Sequence, residues 1–320
     1  MGNFAAVMQI IHYSNDTKIT SECAATIGVF DGVHQGHQHV IGTMKGFARF
    51  LKLKTMAITF DRQPRQLFDA GFRPQLLTSL DEKIQLLVAL DVDYVVVLPF
   101  TMEIAQLSAR EFMQKVLKEQ LNVRLLELGY DNRFGRGRTE TFDDYANYGK
   151  ELGMKVYKDV EISFKGFSDP VSSSLIRRLI ADEGNVNAAA SMLTRPYQLS
   201  GVVKPGEHIG TTLGFPTANV EPEDADKLIP ANGAYVVMAD LDDGELRPAM
   251  MNIGTRPTFS GHKTTLEVNI LDFEGDLYGK RLTVHFIERL RGERRFESAE
   301  ALTAQLEEDK EHTLRILNEE

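Results

Sequence analysis

Residues 26–41 read TIGVFDGVHQGHQHVI, and this stretch decides the fold of the first half of the chain. The run from Ala24 to Phe30 is short, apolar and partly β-branched, which predicts a buried strand. Asp31 and Gly32 interrupt it, and apolar residues then recur at positions 40, 41, 44, 47, 48 and 51, the spacing of a helix. The stretch therefore predicts a strand, a tight glycine turn and a helix.

A unit of this kind directs free backbone N–H groups and the positive helix end at a ligand above the strand. Gly32 and Gly36 allow the backbone to approach that ligand closely. His34 and His37 are three residues apart, so both can face the same point and donate hydrogen bonds to charge developing on a phosphorus. Because a polyphosphate uses all of these features, the sequence predicts nucleotide phosphate binding here.

Two other interpretations of the histidines are a polar helix start without chemistry and a pair of metal ligands. A third metal ligand is not supplied nearby, because the single cysteine, Cys23, precedes the strand and no second cluster has ligand spacing. The dinucleotide fingerprint G-x-G-x-x-G and the phosphate loop G-x-x-x-x-G-K-[ST] are both absent. Nucleotide phosphate binding is the favoured interpretation.

Composition limits the class of protein. A length of 320 residues with 42% hydrophobic content predicts two domains with true cores. The net charge of −10 argues against a nucleic-acid-binding face, and one cysteine fits a reducing compartment. No apolar run is long enough to span a bilayer, and the N-terminal residues lack a signal-peptide pattern. We expect a cytoplasmic protein, a monomer or weak homo-oligomer, without nucleic-acid or membrane partners.

Strands and helices are predicted to alternate over the first half of the chain. The runs from Thr55 to Phe60, Asp93 to Leu98 and Leu125 to Gly129 are apolar and indicate strands. Capping boxes at Ser79–Glu82 and Ser108–Glu111 indicate the starts of two helices. This alternation predicts a parallel sheet with helices on both faces, which binds ligands at the carboxyl ends of its strands.

Two further segments of the first half are candidates for anion binding. The loop 129–138 contains three arginines, which could bind phosphates, and Asp131, which could contact a ribose or a base. A solvated Gly-Arg loop is the alternative. Ser172, Ser173 and Ser174 with Arg177 form a second helix start suited to an anion, although one serine is explained by N-capping alone.

From Tyr197 the chain becomes rich in short β segments separated by glycine and proline, which predicts a small barrel or sandwich. The domain boundary is expected near residues 183–196, and a last helix is expected from Ser298 to about Leu317.

The β-rich half has its own candidate site in residues 206–219, GEHIGTTLGFPTAN. Its glycines at every fourth position suit a phosphate loop, although a plain glycine-rich turn has the same composition. Thr217 and Asn219 have oxygen groups of the kind that bind Mg²⁺. Alternation along the next strand turns Glu267 away from its apolar neighbours Leu266 and Val268.

Taken in order, these motifs resemble those of the bacterial bifunctional riboflavin kinase/FMN adenylyltransferase family, also called FAD synthetase. The resemblance covers nearly the whole chain. It implies a Rossmann-like nucleotidyltransferase domain with a parallel sheet in residues 1–186, and a riboflavin kinase β-barrel with a terminal helix in residues 187–320. The segments that carry it are GVFDGVHQGH (28–37), TFDRQPRQLF (59–68), GYDNRFG (129–135), SSSLIR (172–177), RPYQLSG (195–201), LGFPTAN (213–219), NIGTRPTF (252–259), LEVNILDF (266–273), DLYGK (276–280) and RGERRF (291–296).

The resemblance also implies roles for individual residues. In the adenylyltransferase, His34, His37, Ser174 and Arg177 act on ATP phosphates; in the kinase, Glu267 is the general base for the ribityl hydroxyl. The other nucleotide- or flavin-binding positions implied for the adenylyltransferase are Gly28, Phe30, Asp31, Gly32, Gly36, Asp131, Ser172 and Ser173. Those implied for the kinase are Gly206, Gly210, Thr217 and Asn219, of which Thr217 and Asn219 also hold Mg²⁺.

The implied reactions are phosphorylation of riboflavin by ATP to FMN and adenylylation of FMN by ATP to FAD, with Mg²⁺ as the cofactor. Five residues differ from the usual family pattern, and they are Arg62, Gln63, Asn132, Thr211 and Asn269. The alternatives are a flavin- or nucleotide-binding regulator without turnover, and an enzyme with only one of the two activities.

Overall fold

The computed structural model describes residues 8–160, 170–205, 214–258 and 261–318. Contacts within the chain divide it into two compact units, the first ending at Ser172 and the second beginning at Ser173. The first unit contains an open sheet and the second a closed barrel.

The first unit alternates strands and helices, as the sequence predicts. Its strands are β1 (Gln9–His12), β2 (Cys23–Ile27), β3 (Lys54–Phe60), β4 (Tyr94–Leu98), β5 (Val123–Leu128) and β6 (Lys155–Lys158). Its helices are α1 (Gln35–Leu51), α2 (Pro64–Phe68), α3 (Leu80–Ala89), α4 (Met102–Gln106), α5 (Ala109–Phe112) and α6 (Phe142–Leu152), and α5 continues as a π-helix over Met113–Gln120.

The six strands form a sheet in the order β1-β4-β3-β2-β5-β6, and every neighbouring pair is parallel. The chain runs outward from β2 to β3 and β4, then returns to place β5 on the other side of β2. The direction in which successive strands are added to the sheet therefore reverses between β2 and β5. Their carboxyl ends, at Ile27 and Leu128, flank this reversal point. Open parallel sheets bind their ligands at such a reversal.

Apolar side chains on alternate strand positions cover both faces of this sheet, which explains why the strands read as continuous apolar runs. On one face, Ala24 and Leu125 pack with Ile41 and Met44 of α1. On the other face, the core is formed by alternate strand residues and by side chains of α5, its π-helical continuation and α6, including Ala25, Ile27, Leu126, Leu128, Phe112, Met113 and Leu152.

The three predicted strands after the first motif form, with ends that differ from the predicted ones by one or two residues. The capping box of α3 also forms, because Ser79 Oγ accepts a hydrogen bond from Glu82 N at 3.2 Å and Ser79 N donates to Glu82 Oε2 at 2.8 Å. Strands β1 and β6 are not predicted from the sequence. These two edge strands have only four residues each, and most of those are exposed.

The second unit begins with helices and continues as a barrel. Its helices are α7 (Ser173–Arg178), which continues as a π-helix over Leu179–Glu183, α8 (Val186–Leu193) and α9 (Ala299–Asn318). Its strands are β7 (Tyr197–Lys204), β8 (Ala218–Pro222), β9 (Gly233–Asp240), β10 (Leu246–Thr258), β11 (Gly261–Ile270) and β12 (Arg281–Arg291). The barrel closes in the order β10-β11-β8-β7-β12-β9 with antiparallel neighbours throughout.

The barrel has a mixed aromatic and aliphatic core. The ring of Phe286 packs against those of Tyr197 and Tyr235, with centroid distances of 5.9 and 5.4 Å.

The predicted last helix forms as α9, and Ser298 Oγ accepts a hydrogen bond from Ala301 N at 3.2 Å as its cap. Among the helices of the described residues, none has the length and apolar content needed to cross a membrane.

The compact units divide earlier than the predicted boundary at 186/187, because the helical segment after the serines packs on the barrel. Ala231 N donates a hydrogen bond to Ile180 O at 3.0 Å, and Arg289 Nη1 donates to Glu183 O at 3.0 Å. Gly184 adopts a left-handed conformation, and an added Cβ there would lie 2.7 Å from Arg289 Cδ. Residues 173–186 therefore belong to the second unit by packing.

Candidate functional sites

The turn after β2 has an unusual backbone. Phe30, Gly32 and Val33 all have positive φ, at 52°, 83° and 41°. A bulky or β-branched residue rarely adopts this region, and such strain persists only where the surrounding structure imposes it. Phe30 and Val33 are both buried, so packing holds the strained turn in place.

The loop before α3 holds this turn in place through hydrogen bonds. Asp31, which is only 4% exposed, accepts hydrogen bonds at Oδ1 from the backbone N–H groups of Leu77 and Thr78, both at 3.0 Å. The hydroxyl of Thr78 donates to the same oxygen at 3.3 Å and accepts from Gly32 N at 3.0 Å. The Asp31 carboxylate therefore fixes the shape of the turn from inside the protein.

The two motif histidines lie together at the start of α1. Their rings stack with a centroid distance of 3.7 Å and an interplanar angle of 20°. The ring of Phe30 meets that of His37 edge-on at 5.2 Å. Gly36 lies close to this pair, since an added Cβ there would lie 3.2 Å from the His34 ring. The structure thus brings His34, His37, Phe30, Gly32 and Gly36 together at the reversal point.

The environment of His37 keeps its imidazole neutral. Burial, followed by the charges of His34 and Lys83, holds the pKa of His37 well below 6.5. The buried Nδ1 of His37 has no hydrogen-bond partner among the described residues. A neutral imidazole donates one N–H, so the ring can serve as a hydrogen-bond donor without a formal charge.

Asp131 lies on the other side of the reversal point. It lines a pocket of about 250 Å³ together with Gly129, Arg133 and Lys158. Asn132, next to it, donates a hydrogen bond from Nδ2 to Ile27 O and so joins the ends of β5 and β2. Asn132 therefore has a structural role at a position where the family usually has phenylalanine.

The arginines of the 129–138 loop are exposed, and the loop backbone is tightly packed. Gly135 has φ +92°, and an added Cβ there would lie 2.6 Å from Ala109 N. Phe134 is buried, and its backbone N and O both hydrogen-bond the Tyr145 hydroxyl, at 2.9 and 2.8 Å. Gly135 is thus required for packing, and Arg133, Arg136 and Arg138 reach solvent.

The residues of the predicted second anion site are divided between the two units. Ser172 ends the first unit, and Ser173, Ser174 and Arg177 lie on α7 in the second. Ser174 is exposed, whereas Ser172, Ser173 and Arg177 are half-buried.

The barrel brings the predicted kinase residues onto neighbouring strands. In the strand register, Glu267 of β11 pairs with Asn219 of β8 on one side and with Asn252 of β10 on the other. Glu267 and Asn219 are half-buried, as is Thr217 just before β8. Gly206 and Gly210 lie outside the described residues.

A buried side chain supports this row of residues. Asn269, two positions after Glu267 on β11, is 8% exposed and donates a hydrogen bond from Nδ2 to Pro216 O at 2.7 Å. Pro216 immediately precedes Thr217, so the bond joins the strand of Glu267 to the loop of Thr217. In the sequence, Asn269 stands out only as a departure from the family pattern.

Sequence reasoning also missed Thr78 and Asn252. Thr78 precedes the Ser79 capping box, and Asn252 begins the NIGTRPTF segment, yet neither signal assigns a role without the strand register. Among the described residues, no three His, Cys, Asp or Glu side chains converge as metal ligands.

Comparison with known proteins agrees with this division into two sites. A family model for FAD synthetase matches residues 16–175, and a family model for riboflavin kinase matches residues 193–317. The first matched range contains the strained turn and the histidine pair, and the second contains the barrel.

Similar proteins match along most of the chain. The bifunctional riboflavin kinase/FMN adenylyltransferase of Escherichia coli K12 is 38% identical over 90% of each chain. That of Haemophilus influenzae is 34% identical over 97% of this chain and 100% of the relative. A solved structure named as a macrolide-efflux protein from Streptococcus pneumoniae has a TM-score of 0.86 at 30% identity, covering 96% of this chain and 98% of that one. The chain thus belongs to the bifunctional riboflavin kinase/FMN adenylyltransferase family and has both of these activities.

Proposed function

We propose that the stacked histidines His34 and His37 bind the ATP phosphates during adenylyl transfer. The FMN phosphate oxygen attacks the α-phosphorus of ATP, the bond to the bridging oxygen breaks, and pyrophosphate leaves. The imidazoles of His34 and His37 are hydrogen-bond donors held at the reversal point by a turn that Asp31 fixes. Such donors stabilise the charge that develops on a phosphorus under attack. Gly28, Gly32 and Gly36 allow the backbone to approach the same phosphates, and Phe30 holds the His37 ring.

This reaction needs no general base, because the attacking phosphate is already ionised. Its rate then depends on positioning and on neutralisation of charge. We assign Ser172, Ser173, Ser174 and Arg177 to phosphate binding in this reaction on the motif resemblance, and Asp131 to the flavin or nucleotide. By function we keep residues 1–186 as the adenylyltransferase module, although residues 173–186 pack in the second unit.

The barrel reaction differs in its nucleophile. A neutral ribityl hydroxyl attacks the γ-phosphorus, and its proton must leave as the bond to ADP breaks. Glu267 is the proposed base, and its half-buried position between Asn219 and Asn252 supports that role. The oxygen groups of Thr217 and Asn219 are hard donors that fit Mg²⁺, which when bound would neutralise phosphate charge. Gly206 and Gly210 are proposed to contact the ATP phosphates.

The observation that carries the proposal is the separation of two chemically different sites on two units. Incubation with riboflavin, ATP and Mg²⁺, with FMN and FAD resolved over time, tests it. We expect FMN to appear first and FAD to follow. A His37→Ala protein should accumulate FMN, whereas a Glu267→Gln protein should make FAD only when FMN is supplied. If either variant lost both reactions equally while remaining folded, the two-site assignment would be wrong.

A further inference from the structure

Glu140 lines the same pocket as Asp131, and none of the sequence motifs includes it. It immediately precedes Thr141, the N-cap of α6, and it is half-buried. The pocket has a volume of about 250 Å³, and its wall also includes Tyr130 and Lys158. A carboxylate in a pocket at the end of β5 is therefore left without an explanation.

The backbone is held on both sides of Glu140. Before it in the chain, the backbone N and O of Phe134 hydrogen-bond the Tyr145 hydroxyl at 2.9 and 2.8 Å. After it, Thr141 N donates to Asp144 Oδ2 at 2.8 Å, and the Thr141 hydroxyl donates to the same oxygen at 2.7 Å. The position of Glu140 in the pocket wall is thus set by the fold.

One oxygen of the Glu140 carboxylate lacks a hydrogen-bond donor. Its Oε2 is shielded from solvent and accepts no hydrogen bond within the described part of the chain. Most buried polar atoms in proteins have a partner, and a buried acceptor that lacks one costs free energy. A ligand that brings a donor into the pocket would remove this cost.

The two carboxylates of the pocket favour a ligand that donates hydrogen bonds, because carboxylates such as those of Asp131 and Glu140 only accept them. The adenosine part of ATP offers an exocyclic amine on its base and two hydroxyl groups on its ribose. The edge of a flavin ring consists mainly of acceptors. Tyr130 and Phe142 add aromatic surface to the wall, against which a base can pack. The chemistry of the pocket therefore fits adenosine better than a flavin ring.

We propose that Glu140 is a specificity-determining residue for adenylyl transfer, and that its carboxylate accepts a hydrogen bond from the exocyclic amine of the ATP adenine. Asp131, in the same pocket, then serves the ribose hydroxyls. This inference rests on the proposed binding of ATP at this edge of the sheet. It extends that proposal by naming the group that distinguishes adenine from a purine without an amine.

Three variants of the full-length protein test this role, and each of them removes one negative charge. Glu140→Ala removes the acceptor, whereas Glu140→Gln keeps one amide oxygen that can still accept. Asp143→Asn is the matched control, because Asp143 is exposed in the first turn of α6 and does not line the pocket.

The first measurement is the KM for ATP in FAD formation. Because ATP is a polyanion, loss of a carboxylate that does not contact it should leave this KM unchanged or lower it. We expect the opposite for Glu140→Ala, a rise of roughly tenfold, as for loss of one hydrogen bond to a charged group. The rise should be smaller in Glu140→Gln and absent in Asp143→Asn. An unchanged or lower KM for ATP in Glu140→Ala would overturn the inference, as would a rise in the KM for FMN alone.

The second measurement replaces ATP with purine riboside 5′-triphosphate, which lacks the exocyclic amine. Wild-type protein should use this nucleotide with a kcat/KM roughly tenfold lower than that for ATP, and Glu140→Ala should cause no further loss. A general disturbance of the pocket would lower kcat/KM for both nucleotides by the same factor. Equal losses with the two nucleotides would therefore overturn the inference.

FMN formation by the barrel is the folding control and should be unchanged in all three variants. Failure of the two proposals can be told apart. Normal FAD formation in His37→Ala would overturn the binding of ATP at this edge of the sheet, and with it the role of Glu140. Loss of FAD formation in His37→Ala, together with unchanged nucleotide selectivity in Glu140→Ala, would overturn the role of Glu140 alone.

Discussion

The two units build their candidate sites in different ways. The first uses backbone geometry, with a turn at the reversal of the sheet held by positive-φ residues and by the Asp31 clamp. The second uses side chains on adjacent antiparallel strands, where Glu267 lies in register between Asn219 and Asn252. The difference sets a shaped loop in the first unit against a row of strand residues in the second as the two proposed ATP sites.

The chemistry of each reaction matches its site. The adenylyl transfer has an ionised nucleophile and needs positioning, and the rigid turn with its imidazole donors is proposed for that role. The phosphorylation of riboflavin has a neutral nucleophile and needs a base, and the strand carboxylate of Glu267 is proposed for that role. If this contrast is correct, each site can be damaged without affecting the other.

The largest effect is expected for Glu267→Gln. The amide keeps size and hydrogen bonding but cannot accept the ribityl proton, so FMN formation should fall roughly 10²–10⁴-fold. Initial rates of FMN formation from riboflavin measure this. FAD formation from supplied FMN is the control and should persist. Near-normal FMN production by a stable Glu267→Gln protein would show that Glu267 is not the general base of the barrel site.

His37→Ala should have the next largest effect, on the other unit. Loss of one preorganised donor to the transition state typically costs about 100-fold or more, so FAD formation should fall by that amount. The rate of FAD formation from FMN and ATP is the measurement, and FMN formation should be nearly unchanged. An equal loss in both reactions would point to unfolding or to one shared site.

Asn269→Ala tests whether the barrel site depends on its loop. Removing the part-buried bond to Pro216 O costs about 0.5–1.5 kcal/mol and should lower FMN formation by up to roughly tenfold. Ser200→Ala is the matched control, because Ser200 shares a buried 2.8 Å hydroxyl contact with Thr283 on β7 and β12, which do not neighbour β11. Equal FMN rates in the two variants would show that the Asn269 bond matters only for stability.

Much of this architecture could be predicted from the sequence. Apolar runs, the Ser79 capping box and the 26–41 stretch predict the first sheet correctly, because local patterns and burial agree there. The short edge strands β1 and β6 are missed since exposed four-residue strands have little apolar signal. Strand β8 is missed because its first residues, Ala218 and Asn219, end the glycine-rich motif and read as a loop.

Sequence patterns could nominate site residues but not their neighbours. His34, His37 and Glu267 stand out by residue type and spacing. The hydrogen bonds of Thr78 to the turn depend on long-range packing, and the pairing of Asn252 with Glu267 depends on strand register. No local sequence pattern encodes either of them.

The smallest effect concerns a carboxyl group buried beside the reversal point of the first unit. Glu127 of β5 is 1% exposed and pairs in register with Thr26 of β2. Burial, and then the charge of Asp159, raise its pKa to about 7. Because the folded state favours the protonated form, Glu127 stabilises the fold at low pH, and this stability is lost as pH rises through about 7.

Glu127→Gln, which stays neutral at every pH, should therefore remove part of the pH dependence of unfolding. Wild-type protein should lose about 1 kcal/mol of stability from this group between pH 6 and pH 8, and the variant should lose none of it. Urea unfolding at the two pH values measures the difference, and Glu22→Gln, an exposed change of the same type, should behave as wild type. The rate of FMN formation should be the same in all three proteins, since the barrel does not contain Glu127. If Glu127→Gln kept the wild-type slope between pH 6 and pH 8, the buried carboxyl would already be ionised at pH 6, and the first unit would carry an uncompensated charge beside the reversal point of its sheet.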